Sequence, residues 1–332
     1  MPLQKLQFRP GIVRDTTDYT NEGGWRDGDK IRFRLGFPET IGGWTQFTNT
    51  AMLGVCRDLH AWTSLAGTRF VAAGTSLKLY LLDGNLPVDI TPIRETTSAG
   101  DITFAATNGS STITVSDASN GVFLNDFVTF SGAASLGGAI TAAVLNKEYQ
   151  VTSIIDTNSY TITATTTANS SDTGNGGSSV VGTYQINTGL ESSATGSGWG
   201  AGVWGRNTWN SAADVTVPGA NLRIWSMDNF GEDLLANVRG GGIYYWNTST
   251  GTSSRAVDIT TLSGNNQPQV ANIVLVSERD RHVIAFGCDP QGDPGVLDPL
   301  TIRFSDQESF TDWAATSTNT AGELRIGTGS EI

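Results

Sequence analysis

The sequence predicts an all-β protein in which β-propeller-like blades flank an inserted small β-barrel or sandwich. Glycine is abundant among the 332 residues, and no long run shows apolar residues at helical spacing. A pattern of strand, turn and strand also recurs along the chain, and its two clearest copies, 68–93 and 233–262, both close on Asp-Ile-Thr. The alternative is an ordinary all-β protein whose hairpins only look alike.

The composition restricts the class of function. The net charge is −12 and only 16% of residues are charged, with no stripe of Lys and Arg to neutralise phosphates. This argues against nucleic-acid binding as the main role and is typical of an extracellular or virion protein. The N-terminus lacks a secretory signal and no apolar run approaches membrane-spanning length, so we expect synthesis in the cytoplasm and no membrane anchor.

Residues 1–98 are predicted to form an N-terminal arm and the first blade or blades. In the arm, apolar and basic side chains alternate over 31–35, which predicts a strand. The triplet Asp27-Gly28-Asp29 could begin a calcium loop. It lacks the further ligands and the closing Glu of such a loop, so a hairpin turn is the favoured interpretation.

The first blade is predicted over residues 55–93. Its strand after the Gly74-Thr75-Ser76 turn alternates apolar Leu with other residues and is predicted to be half-buried, Leu77, Lys78, Leu79, Tyr80 and Leu81. His60 has no Cys, Asp or Glu at ligand spacing, so we interpret it as a packing or hydrogen-bonding residue.

Residues 99–180 are predicted to be a separate domain inserted into a blade loop. Aromatic residues become rarer there, and Thr and Ser increase. Five short strands are predicted at 102–104, 111–115, 127–130, 148–151 and 160–163. They indicate a small β-barrel or sandwich, because exposed loops accept insertions whose ends lie close together.

Residues 181–332 are predicted to form further blades, with the main pattern resuming at Gly182. A third unit is predicted over 271–313. The tail from Gly322 is expected to begin the first strand of a further blade, so we expect this chain to be part of a longer product.

Tryptophan is concentrated over residues 196–209, which favours two interpretations. Indole faces can stack on sugars, or they can fill gaps between blades and contact a partner subunit. We favour the second. The candidate interface residues are Trp25, Trp44, Trp199, Trp204 and Trp209.

No catalytic motif is present in the sequence, so no enzyme, metal or cofactor is predicted. The acidic pairs Asp306/Glu308 and Glu278/Asp280 could in principle serve a glycosidase, but such pairs are far more common as solvated faces.

The two cysteines, Cys56 and Cys288, are far apart in sequence. A buried free thiol is predicted for each, with a disulfide as the open alternative.

Three stretches resemble the tail-nozzle, or head-to-tail stabilisation (tail hub), proteins of short-tailed bacteriophages. They are FRPGIVRDTTDYTNEGGWRDGDKIRFRLGFPETIGGW, TGSGWGAGVWGRNTWN and IRFSDQESFTDWAATSTNTAGELRIGTGSEI. The resemblance covers residues 1–96 and 182–332, and the chain departs from the family in being shorter.

The resemblance implies a propeller-based virion subunit in a ring of six around the DNA exit channel. It also implies docking beneath the portal and adaptor, contacts with other tail proteins such as fibres or spikes, and assembly in the host cytoplasm. DNA would pass without specific binding, and no catalytic residues carry over.

The main functional hypothesis is therefore a nozzle-ring structural protein. The alternative is a carbohydrate-binding or depolymerising host-recognition tail protein that uses the Trp-rich stretch. A third hypothesis assigns receptor contact to the inserted domain alone.

Overall fold

The computed structural model describes residues 9–43, 45–84, 86–170, 175–189 and 222–329. This part of the chain is all-β, as predicted, and consists of five antiparallel sheets, none of which is closed into a barrel. The chain divides into two compact units, Met1–Asn49 and Thr50–Ile332.

The first unit contains one hairpin, formed by β1 (Ile31–Arg34) and β2 (Phe37–Thr40). Leu35 and Gly36 connect the two strands with φ of 50° and 85°. The predicted strand through Leu35 therefore ends one residue early. The left-handed backbone of a two-residue hairpin turn places the Leu35 side chain in solvent, 93% exposed.

The second unit begins with a four-stranded meander, the first sheet, in the region predicted to form the first blade. Its strands are β3 (Cys56–Thr63), β4 (Arg69–Thr75), β5 (Leu79–Asp83) and β6 (Leu86–Asp89). The expected half-burial of β5 is wrong. Leu79 and Leu81 pack on one side of the sheet, and Tyr80 and Leu82 are buried on the other.

A seven-stranded inserted sheet follows. Its elements are β7 (Ile93–Thr96), β8 (Thr103–Ala106), β9 (Thr112–Ser116), β10 (Phe127–Ser131), the short helix α1 (Ala142–Leu145), β11 (Glu148–Asp156), β12 (Ser159–Thr163) and β13 (Val181–Gln185). The strand order is β7-β13-β10-β11-β12-β9-β8, so the barrel alternative is wrong.

The inserted sheet includes the strand expected to resume the blade pattern at Gly182. That strand, β13, pairs with β10 on one side and with β7 on the other. Thr183 lies opposite Thr96, and the amide of Thr97 donates to the carbonyl of Gly182 at 2.9 Å. The chain therefore enters and leaves this sheet on two neighbouring strands.

The inserted sheet curls over its own core. Strands β8 and β10 are four positions apart in the strand order, yet the rings of Phe104 and Phe130 lie 4.9 Å apart. Similarly, the hydroxyls of Tyr160 and Tyr184 are 2.9 Å apart across three strand positions. An open sheet reaches such contacts only by bending. Register shifts between β11 and β12 mark irregular pairing of the kind that bends a sheet.

Two more four-stranded meanders complete the second unit. The second sheet contains β14 (Trp225–Phe230), β15 (Asp233–Val238), β16 (Ile243–Trp246) and β17 (Val257–Asp258). The third contains β18 (Ala271–Val276), β19 (Val283–Cys288), β20 (Asp298–Phe304) and β21 (Gly322–Arg325).

The strand at Gly322 does not begin a further blade, contrary to the expectation. It pairs with β20 and is the fourth strand of the third sheet. The wrong expectation came from ending the third unit at residue 313, because the connection over residues 305–321 separates β20 from its last partner.

The three meanders stack face to face with the second sheet in the middle. Along β15, Leu234 and Ala236 belong to the core shared with the first sheet, while Leu235 belongs to the core shared with the third. Adjacent residues of a strand point to opposite faces, so one strand supplies both cores. The first strands of the three sheets are neighbours, because Val274 of β18 bonds the side chain of Ser226 and His60 of β3 bonds Asn229.

The two Asp-Ile-Thr copies have the same local structure. Asp89 accepts from the amide of Thr91 at 2.9 Å, and Asp258 accepts from the amide of Thr260 at 2.8 Å. These side-chain-to-backbone bonds are Asx turns that end a strand. The isoleucine of each copy, Ile90 or Ile259, is then fully buried between two sheets.

Candidate functional site: the outer face of the third sheet

The outer face of the third sheet is the side that points away from the second sheet. Four apolar residues face each other across its four strands in one continuous row, Ile273, Phe286, Ile302 and Leu324. A second row lies beside the first and consists of Leu275, Ile284, Phe304 and Gly322. The two rows form one apolar surface across the whole width of the sheet.

This surface is open in the part of the chain that the structure describes. Ile273 is 45% exposed, Leu275 is 37% exposed and Leu324 is 60% exposed. Their neighbours in sequence on β18, Val274 and Val276, are buried against the second sheet. An apolar sheet face that remains in water is typical of an interaction surface.

A glycine allows the second row to lie flat. The ring of Phe304 occupies the space where a β-carbon on Gly322 would be, and that carbon would overlap the ring. The aromatic ring therefore covers the β21 backbone and extends the apolar surface to the edge of the sheet.

Hydrogen bonds of a buried arginine hold the loops on the opposite side of the third sheet in place. The guanidinium of Arg303 is only 1% exposed and donates to the main-chain carbonyls of Asp289, Asn266 and Trp313. The carboxylate of Asp289 in turn accepts from the amide of Gly295 at 2.9 Å. These bonds fix the long connection between β19 and β20, so the outer face is carried on an ordered framework.

The first sheet forms the other end of the stack, and its outer face is partly covered by the chain itself. Its outer face has a small apolar cluster made from Ala73, Tyr80 and Leu82, which is partly covered by Met52. The hydroxyl of Tyr80 accepts from the amide of Leu53 at 3.1 Å, which holds this covering segment in place. Among the described residues, the stack is thus capped by its own chain at one end and open at the other.

A buried charge cluster joins the first sheet to the inserted sheet. Lys78 is 3% exposed, and its ammonium donates to Asp89 at 2.9 Å and to Glu148 of β11 at 2.5 Å. Gln185 donates to Glu148 at 2.7 Å, and Arg255 pairs with Asp89 at 3.1 Å. We call these five residues the Lys78 cluster. It fixes the orientation of the inserted sheet on the stack.

The Lys78 cluster sets the ionisation of Asp89. Burial alone would raise the pKa of this carboxyl, but the nearby charge of Lys78, the hydrogen bond from Thr91 and the charge of Arg255 outweigh burial. The pKa of Asp89 therefore lies below its ordinary value of 3.8, and the cluster is intact at neutral pH.

Only one of the predicted interface tryptophans lies in the described residues. Trp25, in the first unit, packs its ring edge to face against Phe33 with centroids 6.2 Å apart. Trp44, Trp199, Trp204 and Trp209 fall outside the described residues. The hypothesis that the Trp-rich stretch contacts a partner or a sugar therefore stays a prediction.

The acidic residues considered for chemistry have structural contacts. Asp27 accepts from Arg14 and from the amide of Gly28. Asp306 accepts from the amide and the hydroxyl of Thr320, and Glu308 pairs with Arg281 at 2.7 Å. Glu278 and Asp280 lie in the turn that follows β18.

The two histidines have hydrogen bonds, as predicted for His60. The Nε2 atom of His60 bonds the side-chain oxygen Oδ1 of Asn229, and the imidazole stacks on Trp62. His282 lies 2.8 Å from the carbonyl of Ser305. Across the described ranges, no three His, Cys, Asp or Glu side chains lie close enough together to hold a metal ion.

Both cysteines are free thiols, and burial differs between them. Cys288 is buried, as predicted, and burial raises the pKa of its thiol to about 12. Cys56 is exposed, because it is the first residue of an edge strand, so its predicted burial is wrong.

Sequence reasoning missed the outer face of the third sheet, although a signal was present. Residues 273–276 are an unbroken run of Ile, Val, Leu and Val, which indicates a strand with two apolar faces.

The helices in the described residues are all too short to span a bilayer.

Comparison with known proteins provides no family for this chain. No protein-family model matches it, and no curated protein matches it. Among solved structures, a phage phi92 endosialidase superposes with a TM-score of 0.22 at 14% sequence identity, over 89% of this chain and 41% of that one. The chain thus spans less than half the length of that protein. A TM-score this low does not establish a common fold, so no function is taken from the similarity.

Proposed function

We propose that the chain is a structural protein of a phage tail, a subunit of the nozzle ring that extends the DNA exit channel below the portal and adaptor and helps to stabilise the packaged DNA. The observation that carries the proposal is the open apolar outer face of the third sheet. The resemblance of residues 1–96 and 182–332 to the nozzle proteins supports it independently of that face.

The stack itself indicates what would cover this face. Within the chain, each boundary between successive meanders is an apolar core formed by two sheet faces. The outer face of the third sheet has the same apolar rows and no such partner in the described residues. A sheet of a neighbouring subunit would bury it in the same way, and the burial of apolar area would stabilise the contact.

The charge of the chain suits a DNA exit channel. At a net charge of −12, the protein repels phosphates, so DNA would slide through a ring of such subunits without adhering. In this role the Lys78 cluster would hold the inserted sheet in a fixed position on each subunit.

The proposal is tested on the full chain with one exposed substitution on the outer face. Leu324→Glu places a charge on this face at a position that is 60% exposed, so folding should be unaffected. Leu65→Glu, in the loop after β3 and 92% exposed, is the matched control. Analytical ultracentrifugation and electron microscopy should show rings for the wild type and Leu65→Glu, and smaller species for Leu324→Glu.

A stable wild-type monomer that is also absent from purified virions would overturn the structural role. An assembly that is unchanged by Leu324→Glu would instead remove the outer face as the contact. The carbohydrate-binding alternative predicts glycan binding that is lost on Trp204→Ala, and an empty glycan array would remove its support.

A further inference from the structure

A cleft of about 500 Å³ lies between the inserted sheet and the second sheet. Three of its lining residues are arginines, Arg94 in β7, Arg223 before β14 and Arg239 after β15. The described lining has one acidic residue, Asp258. The described lining is therefore net positive, which is unexpected in a chain with net charge −12, and a positive lining concentrates anions.

Arg223 is the most buried of these three arginines. It is 2% exposed, and its guanidinium lies 5.4 Å from the ring of Trp225. Its Nε and Nη1 atoms are buried and have no hydrogen-bond acceptor among the described residues. Burial lowers the pKa of Arg223 to about 10, which leaves it charged at neutral pH.

Two other arginines of the second unit, the buried Arg303 and the half-buried Arg94, have only their Nε atom without a partner. Both Nη atoms of Arg303 donate to main-chain carbonyls. Arg94 donates to the carbonyl of Asn120 at 3.0 Å and lies 3.5 Å from the carboxylate of Glu95. A buried charge without such partners is costly, and an anion beside it offsets the cost. Arg223 therefore marks a place where the fold favours a bound anion.

We propose that this cleft binds an oxyanion, the carboxylate or phosphate group of a small polar ligand, with Arg223 as its counter-charge. Guanidinium groups favour carboxylate and phosphate oxygens over other anions. The volume accommodates a group as large as a monosaccharide.

The rest of the cleft lining suits the polar part of such a ligand. Thr260 and Thr261 donate their hydroxyl protons to Asp258 at 2.7 Å each, so their oxygen atoms remain free to accept hydrogen bonds. Asn187 holds the opposite wall through its bonds to Asp126 and to the carbonyl of Gly121. Ligand hydroxyls would thus find acceptors on a wall that is already ordered.

Isothermal titration of the full-length chain with three probes at equal ionic strength tests the proposal. The probes are glucuronate, glucose 6-phosphate and neutral glucose, which separate a carboxylate, a phosphate and the sugar ring. We expect one or both anionic probes to bind and glucose not to bind. Arg223→Gln should weaken binding about tenfold or more, whereas Arg325→Gln, an exposed arginine of the third sheet, should leave it unchanged.

A second variant keeps the test decisive if Arg223→Gln fails to fold. Thr261→Trp changes an exposed lining residue and should block the cleft while leaving the buried charge in place. It should abolish binding of the anionic probe with little change in the melting temperature of the free protein. The proposal is overturned if neither anion binds more tightly than glucose. It is also overturned if anion binding persists in Thr261→Trp or in folded Arg223→Gln.

Discussion

The indole of Trp225 lies directly on the backbone of Gly74, where a side chain would otherwise be. The indole nitrogen donates to the carbonyl of the next residue, Thr75, at 2.8 Å, and Trp225 is only 3% exposed. A β-carbon on Gly74 would overlap the Cγ and Cδ1 atoms of the indole. This contact sets how closely the second sheet approaches the first.

Substitution of Gly74 by Ala should therefore destabilise the stack. We expect the free energy of unfolding to fall by about 1–3 kcal/mol, because the added methyl group forces the indole or the strand to move. Chemical denaturation measures the loss. Gly292→Ala is the control, since a β-carbon there meets no atom within 4 Å. Equal stability of the two variants would show that the sheets can adjust without cost.

Truncation of Ile259 should be as costly as truncation of Ile90. Both side chains are fully buried, one in each core of the stack, and removal of such a side chain leaves a cavity. We expect Ile259→Ala and Ile90→Ala each to lower the free energy of unfolding by about 2–5 kcal/mol. Val257→Ala, at a position that is 40% exposed, should cost much less. If the free energy of unfolding falls only slightly for Ile259→Ala but strongly for Ile90→Ala, the two Asp-Ile-Thr copies are not equivalent in the fold.

Removal of the charge on Asp89 should destabilise the protein in a pH-dependent way. The pKa of Asp89 is lowered in the folded state, so its contribution is present above its unfolded-state pKa and is lost as the pH falls through the folded value. Asp89→Asn should cost about 1–3 kcal/mol at pH 7. The difference in the free energy of unfolding between this variant and the wild type should shrink below about pH 4.

The comparison at each pH separates Asp89 from other carboxyls. Burial raises the pKa of Asp126, so its contribution changes with pH in the opposite sense, but it is the same in both proteins and cancels in the difference. Asp83→Asn at the exposed end of β5 serves as the control and should show no gap. If the loss in the free energy of unfolding for Asp89→Asn stays constant from pH 7 to pH 3, the lowered pKa of Asp89 is contradicted.

One thiol per chain should react under native conditions. Partial burial raises the pKa of the Cys56 thiol, but this thiol is exposed and should be labelled by a thiol reagent at pH 8. Cys288 is buried, and burial raises the pKa of its thiol to about 12, so it should not be labelled. Mass spectrometry should find one label in the native protein and two in denaturant. Rapid labelling of Cys56→Ser would show that the core around Cys288 opens readily.

The sequence was sufficient to predict the all-β fold class and hairpins within each of the three meanders. Alternation, glycine turns and the repeated Asp-Ile-Thr are local signals, and they predicted hairpins near where the structure has them. Lys78 shows where this reasoning fails. A lysine in an alternating stretch indicates a solvent-facing side, but its partner Glu148 lies 70 residues away and becomes visible only in the fold.

The candidate site was harder to predict, because it depends on which surfaces remain uncovered. The apolar run over 273–276 indicates a strand with two apolar faces, but not which of them has a neighbour. The pairing of β21 with β20 spans a connection of 17 residues, and no local pattern specifies it. Arg223 carries no sequence signal, since its importance comes from the burial of two guanidinium nitrogens that have no acceptor among the described residues.

The chain departs from the stack along β7 and returns along β13, so its two crossing points are one strand spacing apart, about 4.8 Å. A foreign polypeptide with equally close ends could be grafted between Thr97 and Gly182 without altering the path of the flanking meanders. Natural variation or protein engineering could therefore replace the inserted domain while the three stacked meanders keep their structure.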